Sequence, residues 1–313
     1  MLNAAQRRVY TYLLETGFVS AGKESHAIIR DFNADNLLYE MTACLTVTWS
    51  GEQNSLYKII NGFLCVANFF PDEIFSFFVN RPVSKHDLQP VVDVLYDISV
   101  KAGLEVLTIW DVEERFLDDY RRLNGYSMKA VYNDAMSEYV YSAEELLDLK
   151  GEIHYYKRKR LKMFLDKPNV SVQAMTKENV NLCLEIENQW CSLQDCGVCG
   201  SFAGCSKKTL EIMLDIFDNL VYQGIIGFVD GLPAGYLIFE KTGEDLAYVH
   251  FVKAAIPNFC VFLYYFTVQH YLNGVKQINN GADLGKQGLR LFKKQLGTHE
   301  LLKKYLCTFV KEK

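Results

Sequence analysis

Proline and glycine are scarce in this chain, six and 20 of 313 residues, and neither gathers into a linker or a low-complexity segment. That scarcity excludes collagen-like and disordered architectures. No apolar run reaches the roughly 20 residues that cross a bilayer. P-loop, HExxH, GxSxG and Ser/His/Asp signatures are all missing, which argues against the common NTPase, zinc-protease and α/β-hydrolase chemistries. Neither sign of charge dominates: 33 Lys and Arg face 38 Asp and Glu, for a net charge of −5. Any polyanion must therefore bind at a local patch. The opening segment, MLNAAQRRVYTYLLETG, has neither the apolar core nor the small-residue cleavage site of an export signal. Together with an odd count of nine cysteines, this makes a cytoplasmic chain with reduced thiols the expectation. What is present is a half-apolar composition, long enough for about two domains with real cores.

Two halves read in the same order: strand, helix, glycine, strand, helix, strand. In the first, residues 73–79 (EIFSFFV) suit a strand and 84–102 a helix, with Ser84 and Asp87 spaced for a capping box and Gly103 as the stop. A strand at 104–110, a helix at 112–123 and a strand at 126–132 follow. In the second, strands at 224–229 and 235–240 flank Asp230-Gly231-Leu232-Pro233, a hairpin signal. Then come LAYVHFV (246–252), an aromatic-rich helix at 258–273 ended by Gly274, the VKQIN strand, a helix at 286–296 and KYLCTFV (304–310) as last strand. The expected organisation is α/β, with mixed sheets and flanking helices, divided into residues 1–145 and 146–313.

Four features carry chemistry. The run Lys157-Arg158-Lys159-Arg160 with Lys162, preceded by His154, Tyr155 and Tyr156, suits phosphate clamping and base stacking; its bland reading is a solvated helix face. The loop NNGADLGKQGLRLFKK (279–294) places Asn280, Gly281, Asp283, Gly285 and Gly288 before a helix with Arg290, Lys293 and Lys294. It suits an anion at a helix start, or simply a tight turn. Cys191, Cys196, Cys199 and Cys205 have a loose zinc-like spacing, but only one C-x2-C pair, so unligated thiols in a flexible loop are the stronger reading. His250, on a strand, is either structural or a general base.

The stretch from Ser137 to Phe164 resembles the signature of a bacterial family of unknown function, soluble relatives of the C-terminal domain of phosphatidylglycerol lysyltransferase. Tyr139, Tyr141, Leu149, Gly151, Lys157, Arg158 and Phe164 carry that likeness. A second block is similar too, through His250, Phe251, Lys253, Asp283, Leu284, Gly285, Gly288, Leu289 and Arg290. The resemblance implies two GNAT-like acyltransferase folds in tandem and transfer of an acyl or aminoacyl group. The chain departs from the pattern at Lys159-Arg160, at Val252 and at Gly281. Residues 253–260 (KAAIPNFC) also lack the glycines that let a backbone approach a pyrophosphate, so acetyl-CoA is disfavoured as donor.

These readings combine into one expectation. No cofactor is certain; aminoacyl-tRNA or an acyl-CoA serves as co-substrate. Lys157, Arg158 and Arg160 hold donor phosphates in a cleft where the domains meet. Asn280, Gly285 and Lys293 bind substrate, while His250, Asp283 and Arg290 act in catalysis on an amine or hydroxyl acceptor. Two alternatives stand beside it: a ligand-binding or regulatory protein that lost catalysis, and a metal or redox protein built on the cysteines.

Overall fold

The computed structural model describes residues 2–33, 37–69, 75–80, 87–152, 154–193, 206–218, 221–297 and 299–312. In chain order the first part runs α1 (Ala4–Glu15), β1 (Val19–Ser20), α2 (His26–Asn33), α3 (Ala43–Gln53), β2 (Leu56–Ile60), β3 (Phe63–Asn68) and β4 (Ser76–Asn80). It continues with α4 (Gln89–Lys101), β5 (Leu107–Glu113), α5 (Leu117–Arg121) and β6 (Tyr126–Tyr132). The second part runs β7 (Glu138–Ser142), α6 (Ala143–Leu147), α7 (Tyr155–Leu161), β8 (Val170–Ala174), α8 (Leu182–Leu193) and α9 (Ser206–Asp215). After these come β9 (Tyr222–Val229), β10 (Leu232–Thr242), β11 (Leu246–Ala254), α10 (Phe259–His270), β12 (Gln277–Ala282), α11 (Gln287–Leu296), β13 (His299–Leu302) and β14 (Lys304–Lys311).

Two seven-stranded sheets result, ordered β1-β2-β3-β4-β5-β14-β6 and β13-β7-β12-β11-β10-β9-β8. The strands are exchanged reciprocally. β7 follows β6 in sequence but lies between β12 and β13, while β14 follows β13 and lies between β5 and β6. The compact units are accordingly Met1–Ser137 with Leu302–Lys313, and Glu138–Leu301. This differs from a division at residue 145 in two places: β7 lies with the second unit, and the C-terminal strand lies with the first. Cys307 and Phe309 of β14 join the first core, and Tyr139 and Tyr141 of β7 join the second.

Local chemistry explains most element ends. Pro90 sits in the first turn of α4, where a missing N–H costs nothing, and Asp87 Oδ1 accepts the N–H of Gln89 at 3.0 Å. Ser84 lies outside the described residues. Gly103, with φ of 87°, stops α4, whereas α10 ends at His270 with Tyr271 as its cap, ahead of the stop expected at Gly274; Asp230-Gly231, both at positive φ, turn β9 into β10. The helix expected over 112–123 is shorter. β5 runs on to Glu113 because Val112 and Glu113 pair with Tyr305 and Lys304 of β14, a partner from far along the chain.

In the second sheet, consecutive residues of β10 face opposite ways. Gly235 meets α10 and Tyr236 meets α8, so the two helices cover opposite faces. The α10 face needs small residues: a Cβ at Gly227 would lie 2.6 Å from the Phe259 ring. Ile225, Leu237, Phe239 and Val249 fill that face against Phe259 and Leu263. The two sheets also repeat one irregularity. Asn280-Gly281 of β12 bulge opposite Tyr139, and Trp110-Asp111 of β5 bulge opposite Leu306, each with its second residue at positive φ, 65° for Gly281 and 56° for Asp111.

Candidate functional site

β11 and β12 pair in parallel at only three positions, ending with Tyr248 opposite Asn279, although β11 continues to Ala254. Past that point the strands part. β11 also bulges against β10: Phe239 pairs with Val249 and Ile238 with Phe251, which leaves His250 as the extra residue. A bulge re-aims a side chain and withdraws backbone from the ladder, and such irregularities concentrate beside functional sites.

On the β11 side, His250 Nε2 lies 3.0 Å from Glu240 Oε2 on the neighbouring strand. The imidazole is wholly buried, edge-on to Tyr222 and stacked on Tyr248, whereas the Glu240 carboxylate retains slight exposure. Further along, the Lys253 ammonium sits 3.2 Å from the centre of the Trp190 ring and 3.8 Å from Glu187 Oε1. Glu187 is itself buried and accepts the Tyr236 hydroxyl at 3.0 Å.

On the β12 side, Asn279 Nδ2 donates to Glu138 Oε2 at 2.6 Å. The Asn280 side chain accepts the Tyr264 hydroxyl. Asp283 is almost fully buried. Its Oδ2 accepts Arg290 Nε (2.7 Å) and the Tyr139 hydroxyl (2.8 Å), and its Oδ1 accepts Arg290 Nη2 (3.1 Å) and the Gly285 N–H (2.8 Å). Burial alone would raise its pKa, but these four donors outweigh it and hold the carboxyl below its usual range. Arg290 remains about a third exposed beside this cradle.

The structure gives several expected substrate contacts another use. Lys293 is buried, and its ammonium donates to the carbonyls of Asn280, Gly281 (2.8 Å) and Ala282 (2.7 Å), tying down the bulge of β12. The Gly285 N–H goes to Asp283 rather than outward. The basic run changes most. Lys157 is 2% exposed and donates to the carbonyls of Glu145 (2.8 Å) and Leu146 (3.2 Å). Arg158 donates to the carbonyls of Leu149 and Gly151, and Arg160 to Gln295 Oε1 at 2.6 Å. These three cations tie backbone and side chains together: Lys157 reaches the end of α6, Arg158 the reversal that follows it, and Arg160 a side chain of α11. The outward face consists of Tyr155 and Tyr156, 52% and 58% exposed, with Lys159 and Lys162.

Burial pushes the Lys157 amine down to about 8, despite the opposing pull of Glu145 and Asp148. Between pH 8 and its unfolded value near 10.4 the unfolded chain binds the extra proton, so stability should rise with pH across that window. The neutral amine still has donors for both carbonyls. Urea midpoints measured in chelator-containing buffer should show this rise in the wild type, and Lys157→Met should abolish its share of the slope.

With this geometry in hand, similarity to known proteins is decisive at one level. A family model described as phosphatidylglycerol lysyltransferase, C-terminal, matches residues 39–308. The chain belongs to that family. The fold recurs in solved structures at low identity. A conserved protein of unknown function from Bacteroides thetaiotaomicron is 21% identical, with TM-score 0.83 over 93% of this chain and 99% of that one. The C-terminal domain of a putative lysylphosphatidylglycerol synthetase from Agrobacterium fabrum is 13% identical, with TM-score 0.67 over 91% of each chain. A tandem GNAT protein from the clavulanic acid biosynthesis pathway is 10% identical, with TM-score 0.50 over 94% of this chain and 98% of that one. These likenesses are of fold, and the fold is α/β with two GNAT-like units in tandem. No curated protein matches the chain.

This member of the phosphatidylglycerol lysyltransferase C-terminal family has no helix, among the described residues, long and apolar enough to cross a membrane. Of the cysteine cluster, Cys191 lies in the last turn of α8, while Cys196, Cys199 and Cys205 lie outside the described residues. Sequence reasoning passed over Glu240, Glu138, Glu187 and Tyr264. For Glu240 a signal existed: the carboxylate lies on the strand that the hairpin pairs with His250's own.

Proposed function

We propose that the second unit transfers an aminoacyl or acyl group from a phosphate-bearing carrier to an amine or hydroxyl acceptor, at the place where β11 and β12 part. Aminoacyl-tRNA is the donor this reading favours. The observation that carries it is that parting, with the Glu240–His250 pair on one bank and the Asp283–Arg290 cradle on the other.

In this reaction the acceptor N–H or O–H attacks the ester carbonyl, and its proton passes to the Glu240 carboxylate, steadied by His250. A new C–N or C–O bond forms, the carrier's ester C–O bond breaks, and the released alkoxide recovers the proton. Positioning and charge stabilisation supply most of the rate in such a direct transfer. Arg290, held in one orientation by Asp283, offers its exposed face to developing negative charge. The glycine-free segment 253–260 weighs against an acyl-CoA donor, whose pyrophosphate needs close backbone approach.

The carrier's phosphates would meet the outward face of α7 rather than the cations expected from sequence. Replacing Lys159 and Lys162 with alanine should weaken tRNA binding and lower the slope of log K against log salt by about 0.7–0.9 per lysine. Unchanged binding would remove tRNA from that face. The reading as a whole is tested by turnover: charged tRNA incubated with the protein and a mixture of amine and hydroxyl acceptors should yield aminoacylated product. Protein that binds charged tRNA yet releases no product in such a mixture would instead support a non-catalytic binding role, which the full burial of His250 favours.

A further inference from the structure

We propose that Glu145, Asp148 and His154 form a binding site for a divalent transition-metal ion of the zinc class, which staples the corner between α6 and α7. The inference is independent of the transfer reaction.

Among the described residues this is the one group of three His, Cys, Asp or Glu side chains whose ligating atoms all fall within 4.8 Å of one another. His154 Nε2 lies 3.0 Å from Glu145 Oε1 and 3.9 Å from Asp148 Oδ2. Ligands about 2.1 Å from a zinc-class ion lie roughly 3–3.5 Å from each other, so small side-chain rotations suffice to admit one. Glu145 lies on α6 and Asp148 is the residue that caps its C-terminal end, and the imidazole comes from across the chain reversal at Gly151, whose φ is 74°. One imidazole and two carboxylates form a mixed nitrogen and oxygen set. That set suits zinc, nickel, cobalt or manganese better than an all-oxygen calcium or magnesium cage.

Accessibility is graded as a site requires. The imidazole is 4% exposed, which fixes its orientation, whereas Glu145 and Asp148 are 27% and 41% exposed, which leaves an entrance and room for water at the open positions. The shell behind them is already built. Lys157 holds the carbonyls of Glu145 and Leu146, Arg158 holds those of Leu149 and Gly151, and the Lys150 N–H donates to Asp148 Oδ1 at 2.9 Å. None of these bonds uses the carboxylate oxygens that face His154, so the corner is ordered before an ion arrives. Supporting contacts of this kind are what hold metal ligands in register.

The test is titration of the full chain with zinc chloride under a phosphine reductant, read by calorimetry and by thermal unfolding. The competing thiols require their own control. Wild type should take up one zinc outside the cysteines and gain in Tm. His154→Ala and Asp148→Asn should each weaken that uptake at least tenfold and lose the Tm gain. A variant with Cys191, Cys196, Cys199 and Cys205 all replaced by serine should retain both. Asp148 is a partly exposed group, so its asparagine variant keeps the assay informative if His154→Ala folds poorly. The proposal is overturned if the Asp148 and His154 variants bind zinc as wild type does, if the four-serine variant loses all uptake, or if wild type takes up none at 100-fold molar excess.

Discussion

Lys304→Met should cost the first unit about 3–5 kcal/mol, the range expected when one partner of a buried ion pair is removed. Lys304 is fully buried on the exchanged strand β14, with its ammonium 3.2 Å from Asp111 Oδ2 and 3.4 Å from Glu40 Oε1. Without it, two carboxylates, one of them almost wholly enclosed, lose their compensating charge. The lysine sits where β14 enters the sheet, and its main-chain carbonyl, which the substitution leaves in place, accepts the Asn133 N–H at 2.9 Å. A second substitution separates charge from packing. Asp111→Asn, at a position with φ of 56° that asparagine adopts readily, should restore much of the loss when combined with Lys304→Met. Urea denaturation of the single and double variants measures both. A single variant within 1 kcal/mol of wild type would mean that the triad contributes little to holding β14.

The second large effect concerns turnover. Glu240→Gln keeps a side chain of the same shape beside His250 but removes the proposed proton acceptor, and on that proposal should lower kcat by about 10²–10⁴-fold with little change in unfolding temperature. The loss should fall on kcat more than on KM, since the glutamine preserves ground-state contacts and removes only proton transfer. Tight binding of charged tRNA combined with a kcat within twofold of wild type would take Glu240 out of the reaction. His250→Gln tests the partner: if the imidazole only steadies Glu240, its replacement should cost less than the loss of the carboxylate itself.

Much of the second unit was legible in the sequence because its signals are local. Leu246–Ala254, the Asp230-Gly231 turn and the aromatic-rich α10 follow from alternation, turn chemistry and periodicity over a few residues. Asp283 and Arg290, expected to act on a ligand, instead bond to each other, since a turn at Leu284-Gly285 leads straight into the helix that carries the arginine. The basic run misled for an equally physical reason. Charge density along a sequence says that cations are present, not which way they point. A seven-residue helix packed against α10 and α11 has an inward face, and long side chains there reach carbonyls instead of solvent.

Composition and pattern alone determined that this chain folds as two α/β modules with the same order of elements, that His250 lies on a strand and that Asp283 precedes the helix carrying Arg290. Tertiary structure alone decided where β7 and β14 go, because a strand's alternation fits either sheet equally well and only the exchange satisfies both. It likewise decided which charges are buried. Lys304 with Asp111, Asn279 with Glu138 and Lys293 with the bulge carbonyls are partners that meet only after the chain has crossed between sheets or turned back on itself.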